Sequence, residues 1–408
     1  MLASMRRWLV GVLVLAIVLA VVGIGVAGLS RDVPSVRLVA ADAPEQFSHR
    51  PIGLAWPAAG EAAVAVPGVG MLGSRRGDRA VPIASVAKVM TAYVVLRDHP
   101  LGPRDSGPVI TVTPVDAAIY QADLATGQSV APVDAGERLS ERQALEEMLL
   151  PSANNVATML AIWDAGSLGA FVAKMNHWAR VLRLEHTSYA DASGVDSATR
   201  SSADDQVRLA TAALRMPVFA QVVSMRQARV PVAGVLFNRD ALLGRDGVFG
   251  VKPGSTSAAG GCFVFAAHEH VGARVITVIG AVLGQPAAPA QPTILLEAAL
   301  HATTTLLRSI PHVLETVRFG QDIPLASLHV PWTHPVAAGL SRVVSFVGWP
   351  GLPIRMRITA ARDLRVPVPP GQTVAVADMA AGDQHETVPV VAIHELAAPS
   401  FWWRVTHP

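Results

Sequence analysis

Pro82-Ile83-Ala84-Ser85-Val86-Ala87-Lys88-Val89-Met90-Thr91-Ala92-Tyr93 places a serine three residues ahead of a lysine inside an apolar run. On a helix, residues at that spacing share a face. A serine hydroxyl is a weak nucleophile until a base removes its proton. Lys88 can be that base if its amine is partly neutral, a state favoured by burial and by a second cation nearby. Val86, Ala87, Val89 and Met90 supply an apolar wall. Taken alone, the pattern also fits a capped helix start with a surface lysine, so its meaning depends on the rest of the chain.

Two downstream elements supply that context. Ser152-Ala153-Asn154 follows Pro151, which stops a helical pattern over 141–150. The ordinary use of Ser and Asn at such a place is a helix cap. In the catalytic reading, Ser152 passes a proton toward a leaving amine, and Asn154 orients Lys88 and a substrate amide. Lys252-Pro253-Gly254-Ser255-Thr256 closes a strand pattern beginning at Val248. Here Lys252 is the second cation, and Gly254 admits a close-lying backbone. The backbone N–H groups of Ser85 and Ser255 form an oxyanion hole. Read alone, Lys-Pro-Gly is a strand-ending turn.

The wider chain suits an exported two-domain protein. Its 408 residues are 51% hydrophobic and 16% charged, enough for a large core. The formal net charge of +2, without a basic patch interleaved with aromatics, gives no nucleic-acid footprint. Cys262 is the one cysteine, so no intramolecular disulfide forms, and it reads as a plain buried thiol. Trp8 to Leu29 carries no charge and follows Arg6 and Arg7. That fits a membrane-spanning helix with its amino end in the cytoplasm and the remainder outside. A cleaved signal peptide is the competing reading, but the apolar stretch is long and the cleavage signal poor. A retained anchor is expected, and export follows from either.

Residues 30–51 read as a tether. From Ile52 a strand (Glu61 to Val66) precedes the Ser85 helix to Leu96. A short strand follows at Val109 to Val112. Helices are expected over Glu141–Leu150, Asn155–Trp163, Ala170–Leu182 and Gln206–Leu214. Strands return at Val230–Val235, Val248–Lys252, Phe263–Ala267 and Val275–Leu283, and a helix at Thr293–Ser309 closes the unit. This pattern gives an α/β (α+β) domain, an antiparallel sheet flanked by helices with a helical insertion. From 315 to 408, short alternating runs and Gly/Pro turns predict a small all-β domain. The expected divisions are therefore 1–29, 30–51, 52–314 and 315–408. Phe401-Trp402-Trp403-Arg404 is expected to fill the β domain's core, with a membrane interface as the alternative.

The three elements together resemble the low-molecular-weight penicillin-binding proteins, the D-alanyl-D-alanine carboxypeptidase family of serine peptidases, S11. Leu149 to Asn155, Phe171 through Asn176 to Gly194, Asp246 to Lys252, Ala258-Ala259-Gly260 and Val282-Leu283-Gly284 extend the likeness over about Ile52 to Ser309. The resemblance implies a β-lactamase/transpeptidase-like fold. It also implies removal of the terminal D-Ala from peptidoglycan stem peptides ending in D-Ala-D-Ala, through an acyl-enzyme on Ser85. β-Lactam antibiotics would acylate the same serine, and no cofactor or metal is required. Ser85, Lys88, Ser152, Asn154 and Lys252 take the catalytic roles. Gly254, Ser255, Thr256 and Arg274 bind substrate, with Arg274 meeting its carboxylate. His268-Glu269-His270 reads as a solvent-facing hairpin turn rather than a metal site.

Pro253 is the clearest departure, standing where the family usually has threonine. It removes a hydroxyl that helps hold the substrate carboxylate and a backbone N–H that bears on strand pairing. Ser255 and Thr256 are the nearest hydroxyls to compensate. The departure keeps a non-catalytic penicillin- or peptidoglycan-binding protein open as an alternative. A serine β-lactamase is less well matched, because Leu184 to Ser197 resembles the carboxypeptidases rather than the glutamate-bearing loop of that class.

Overall fold

The computed structural model describes residues 2–30, 32–41, 46–321 and 323–407, which divide into two compact units. One runs from His49 to Glu315. The other combines the amino-terminal segment through Ser48 with Thr316 onward.

The larger unit is built on a five-stranded antiparallel sheet. Its order is Val248–Thr256, Gly260–Val271, Arg274–Gln285, Glu61–Val66 and Gly70–Arg75. Alternation along the strands sorts side chains between two faces. Cys262, Val264 and Ala266 join the core shared with the helical region. On the other face, Gly261 lies against Leu295 and Ala299 of the closing helix Pro292–Ser309, whose Leu295 carbonyl leaves no room for a Cβ. The helix Lys88–Asp98 is buried along Val89 to Leu96 and forms the centre of that core. It is apolar nearly all round, as a helix enclosed by neighbours must be.

Most expected elements are present within a few residues. The expected strand Val230–Val235 is instead a hairpin of Gln227–Val230 and Gly234–Phe237, turned at Gly234 with φ +71°. Helices Pro114–Ala125 and Pro217–Ser224 add to the expected set. His268, Glu269 and His270 do not form a turn. They continue the ladder opposite Thr277, Ile276 and Val275, and His268 stacks on Phe249.

The smaller unit has a six-stranded antiparallel sheet, ordered Arg37–Ala40, Ala326–His329, Val336–Leu340, Gln384–Ala392, Thr373–Ala381 and Ile354–Ala360. Glu315–Phe319 pairs separately with Val344–Gly348. The expected tether is therefore corrected. Arg37–Ala40 is an edge strand of this sheet, and Phe47 is buried in its core beside Phe319 and Phe346. Residues 31 and 42–45 of that stretch lie outside the described residues. A polar, proline-containing run carries no period, so pairing with a strand far along the chain leaves no local signature. The helix Leu2–Leu29 contains an apolar span at Met5–Gly28, the length of a membrane anchor or a signal segment.

Candidate active site

Ser85 lies in a tight turn of 3-10 helix, Ala84–Ala87, that runs directly into the helix beginning at Lys88. Ser85 does not cap this helix. Ile83 stands at the cap position without a side-chain bond, so the hydroxyl is free of that use. Ala84 holds φ +47°, an uncommon state for a residue with a Cβ. Gly194 packs against its carbonyl so closely that no side chain fits there. The turn is thus held by packing against a loop more than a hundred residues away.

Lys88 is fully buried. Its Nζ lies 3.0 Å from Ser85 Oγ, 2.6 Å from Asn154 Oδ1 and 3.0 Å from the Ser193 carbonyl. Burial lowers its pKa to about 7, against the pull of Asp191 and with help from Arg239. Valence then decides the geometry. A neutral amine has two N–H donors and one lone pair. Asn154 and Ser193 accept the donors, which leaves the lone pair toward the Ser85 hydroxyl.

Asn154 begins the helix Asn154–Ala165, whose cap is Ala153 with no side-chain bond. Neither Ser152 nor Asn154 is a capping residue. Asn154 Nδ2 donates to Gln128 Oε1 at 2.8 Å, which fixes the amide with its oxygen toward Lys88. Asn155 ties the same helix to Ala131 by two bonds. Ser152 holds φ +68°, and its buried Oγ meets no partner among the described residues. A strained residue with an unsatisfied hydroxyl is a feature of reactive sites.

The third element meets the first through Gly254. A Cβ there would lie 2.8 Å from the Ser85 nitrogen, so only glycine lets this strand approach the nucleophile's backbone. Lys252 is fully buried, and its Nζ donates to the Pro253 carbonyl at 3.0 Å. Burial pushes its pKa well below the lysine range, reinforced by Lys88 and Arg239. Arg239 is a further cation that lowers the Lys88 pKa, and Lys88 and Arg239 together lower that of Lys252.

Pro253 does not disturb the strand. It pairs with Phe263, and the register runs unbroken from Gly250 to Thr256. The strand is at the sheet's edge, where a missing N–H on the outer side costs no ladder bond. The two nearby hydroxyls each make a hydrogen bond within the fold. Ser255 Oγ donates to the Pro292 carbonyl at 2.6 Å, and Thr256 Oγ1 accepts from the Ala259 nitrogen at 3.0 Å.

Arg274 is a second correction. Lys252 stands opposite Val264, which stands opposite Ala281, whereas Arg274 pairs with Val271 at the far end of the hairpin. At about 3.3 Å per residue, this puts Arg274 on the order of 20 Å along the strand from the level of Lys252. It does not reach a carboxylate held at Gly254. Arg239 does lie at the site. Its nitrogen donates to the Leu150 carbonyl, next to the second element, and its Nη1 to Ser129 Oγ at 2.7 Å.

Arg239 and Asp191 were the residues that sequence reading missed in role. Asp191 Oδ2 accepts from Ser193 Oγ and from the nitrogens of Ser193, Gly194 and Val195, while Oδ1 accepts from Thr199 Oγ1. That knot shapes the loop presenting the Ser193 carbonyl to Lys88. An acid ahead of a Ser-Gly turn was the available signal.

A nucleophile turn, a buried lysine, an amide and a glycine-bearing edge strand on an antiparallel sheet define a serine acyl-transfer enzyme fold. The profile of the D-alanyl-D-alanine carboxypeptidase family Peptidase_S11 matches residues 66–285, and the chain belongs to that family. It is 36% identical over 151 residues to a D-alanyl-D-alanine endopeptidase of Pseudomonas aeruginosa, covering 37% of this chain and 46% of that protein. It is 34% identical over 204 residues to the D-alanyl-D-alanine carboxypeptidase DacB2 of Mycobacterium tuberculosis, covering 48% and 66%. The chain thus spans about half to two thirds of the length of these relatives. Penicillin binding protein 5 of Haemophilus influenzae shares the fold across both units, with a TM-score of 0.58 over 88% of this chain and all of that one, at 19% identity.

Proposed function

We propose that this chain is a membrane-anchored serine D-Ala-D-Ala carboxypeptidase acting outside the cytoplasm. The observation that carries the reading is the Lys88 amine, buried, close to neutral at physiological pH and 3.0 Å from the Ser85 hydroxyl.

In the first step Ser85 Oγ attacks the carbonyl of the penultimate D-Ala, and its proton passes to Lys88 Nζ. The backbone N–H groups of Ser85 and Ser255 hold the developing oxyanion. The C–N bond then breaks. The leaving D-Ala amine takes a proton through Ser152, whose hydroxyl is unpartnered. Asn154 keeps Lys88 aligned and offers its remaining N–H to the peptide. Arg239 supplies positive field where the substrate ends in a carboxylate. In the second step water attacks the acyl carbon and gives its proton to Lys88, which passes it to Ser85 Oγ as the ester C–O bond breaks, freeing the shortened peptide and restoring both groups. The span Met5–Gly28 stays attached and holds the enzyme at the membrane.

Removing the nucleophile is the decisive test. Ser85→Ala should fold normally and lose both fluorescent-penicillin labelling and D-Ala release from a pentapeptide, by on the order of 10⁴-fold or more. Unchanged D-Ala release defeats the assignment. Wild-type labelling without release marks a binding protein, and rapid penicillin hydrolysis marks a β-lactamase. Cleavage of cross-linked dimers in preference to pentapeptides marks an endopeptidase.

A further inference from the structure

We propose that the short helix Phe401–Thr406 is a second membrane contact. Clamped to the outer end of the amino-terminal span, it sets Phe401 and Trp402 into the interfacial layer of a lipid bilayer. This rests on the reading that the span is retained.

The expectation that these aromatics fill the β domain's core fails. Phe401 is 47% exposed and Trp402 72%. The helix instead packs on two glycines of the span. The Phe401 ring lies 3.6 Å from where a Cβ on Gly25 would stand. At Gly28 a Cβ would lie 3.1 Å from Val405 Cγ2 and 3.2 Å from the Arg404 carbonyl oxygen. Glycine at 28 is what lets the two backbones come this close, as small residues do between membrane helices.

The contacts also set a direction. Arg6 and Arg7 keep the amino end in the cytoplasm, so Gly28 is the outer end of the span. Phe401 sits level with Gly25, and Arg404 and Val405 with Gly28. Aromatic side chains therefore lie deeper and the cation lies further out, the order found at a membrane–water boundary. The helix is fixed from its other side as well. Ser400 caps it, and Trp403 packs edge-on against Trp332, whose indole N–H donates to the Ala397 carbonyl. With the helix held on both sides, Phe401 and Trp402 are the large apolar side chains it leaves exposed, beside the span whose apolar residues are exposed as well.

The test uses the full-length chain in phosphatidylcholine–phosphatidylglycerol vesicles. Cys262 is buried, so an environment-sensitive thiol dye reports only on Trp402→Cys or on the control Asp383→Cys, in an exposed turn of the smaller unit. Shallow spin-labelled lipid should quench the dye at 402 at least twofold more than at 383. Gly28→Leu should bring quenching at 402 down to the control level while the chain stays vesicle-bound. Equal quenching at both sites in a vesicle-bound chain overturns the proposal and leaves the anchor reading standing. Blue-shifted emission without lipid quenching overturns it in favour of a protein partner. Undiminished quenching in Gly28→Leu overturns the clamp. A chain whose mass shows loss of the span, released from vesicles, overturns both readings.

Discussion

Lys88 and Glu147 are both fully buried in the larger unit, and burial moves both far from their ordinary ionisation. Lys88 falls to about 7 and meets three oxygens within hydrogen-bond reach. Glu147 rises to about 8, crowded by Glu137 and Glu146, and neither of its oxygens has a partner among the described residues. Glu141, six residues earlier on the same helix, is pushed to about 7 and is equally without partners among the described residues. Desolvation is the largest cause of the shift in each of these groups. Only the lysine is met by polar groups from distant elements that aim its lone pair at a nucleophile. A shifted pKa marks a candidate site, and convergence of partners makes the chemistry.

The sharpest way to test that contrast is to remove the amine. Lys88→Met should lower penicillin acylation by about 10²–10⁴-fold. In the unsubstituted chain the acylation rate should climb with pH through about 7 as Lys88 loses its proton. A flat profile across that range removes Lys88 from the role of base.

Gly254 comes next. Gly254→Val places atoms where the Ser85 backbone lies, and acylation should fall by about 10²-fold. Measured against it, the lysine variants separate loss of the base from loss of position, since Gly254→Val should keep the rising limb near pH 7. Pro253→Thr restores a hydroxyl on an otherwise undisturbed edge strand. D-Ala release should rise by up to about tenfold, the worth of one hydrogen bond. A lower rate would show that this site is built around proline.

The smallest effect belongs to the carboxylates. Between pH 4.5 and about 8 the folded state holds protons on Glu141 and Glu147 that the unfolded chain releases. Stability should therefore be greatest at the acid side of that window and fall as pH rises through it. Glu147→Gln should flatten the fall and raise the melting temperature at pH 8 by about 2–4 °C. Acylation should be unchanged. Lost acylation in that variant would mean the two buried regions are coupled.

The sequence alone determined what depends on neighbours along the chain. The interval from Ser85 to Lys88 sets a common face, Pro151 ends a helix ahead of Ser152 and Asn154, and the short apolar run from Val248 ahead of the Pro253-Gly254 turn residues marks the strand carrying Lys252. Local geometry and periodicity are read directly from residue order. The tertiary structure decided everything that needed distant segments to meet. The Ser193 carbonyl at Lys88 has no signature, because every residue carries a carbonyl. Arg274 was misplaced because register is set by pairing across a sheet, not by order along a strand. Arg37–Ala40 became a strand through a partner nearly three hundred residues later. The aromatics near the carboxy terminus found two glycines of the opposite end of the chain in place of a core. Each of these outcomes follows from long-range packing, where burial and close approach outweigh local preference.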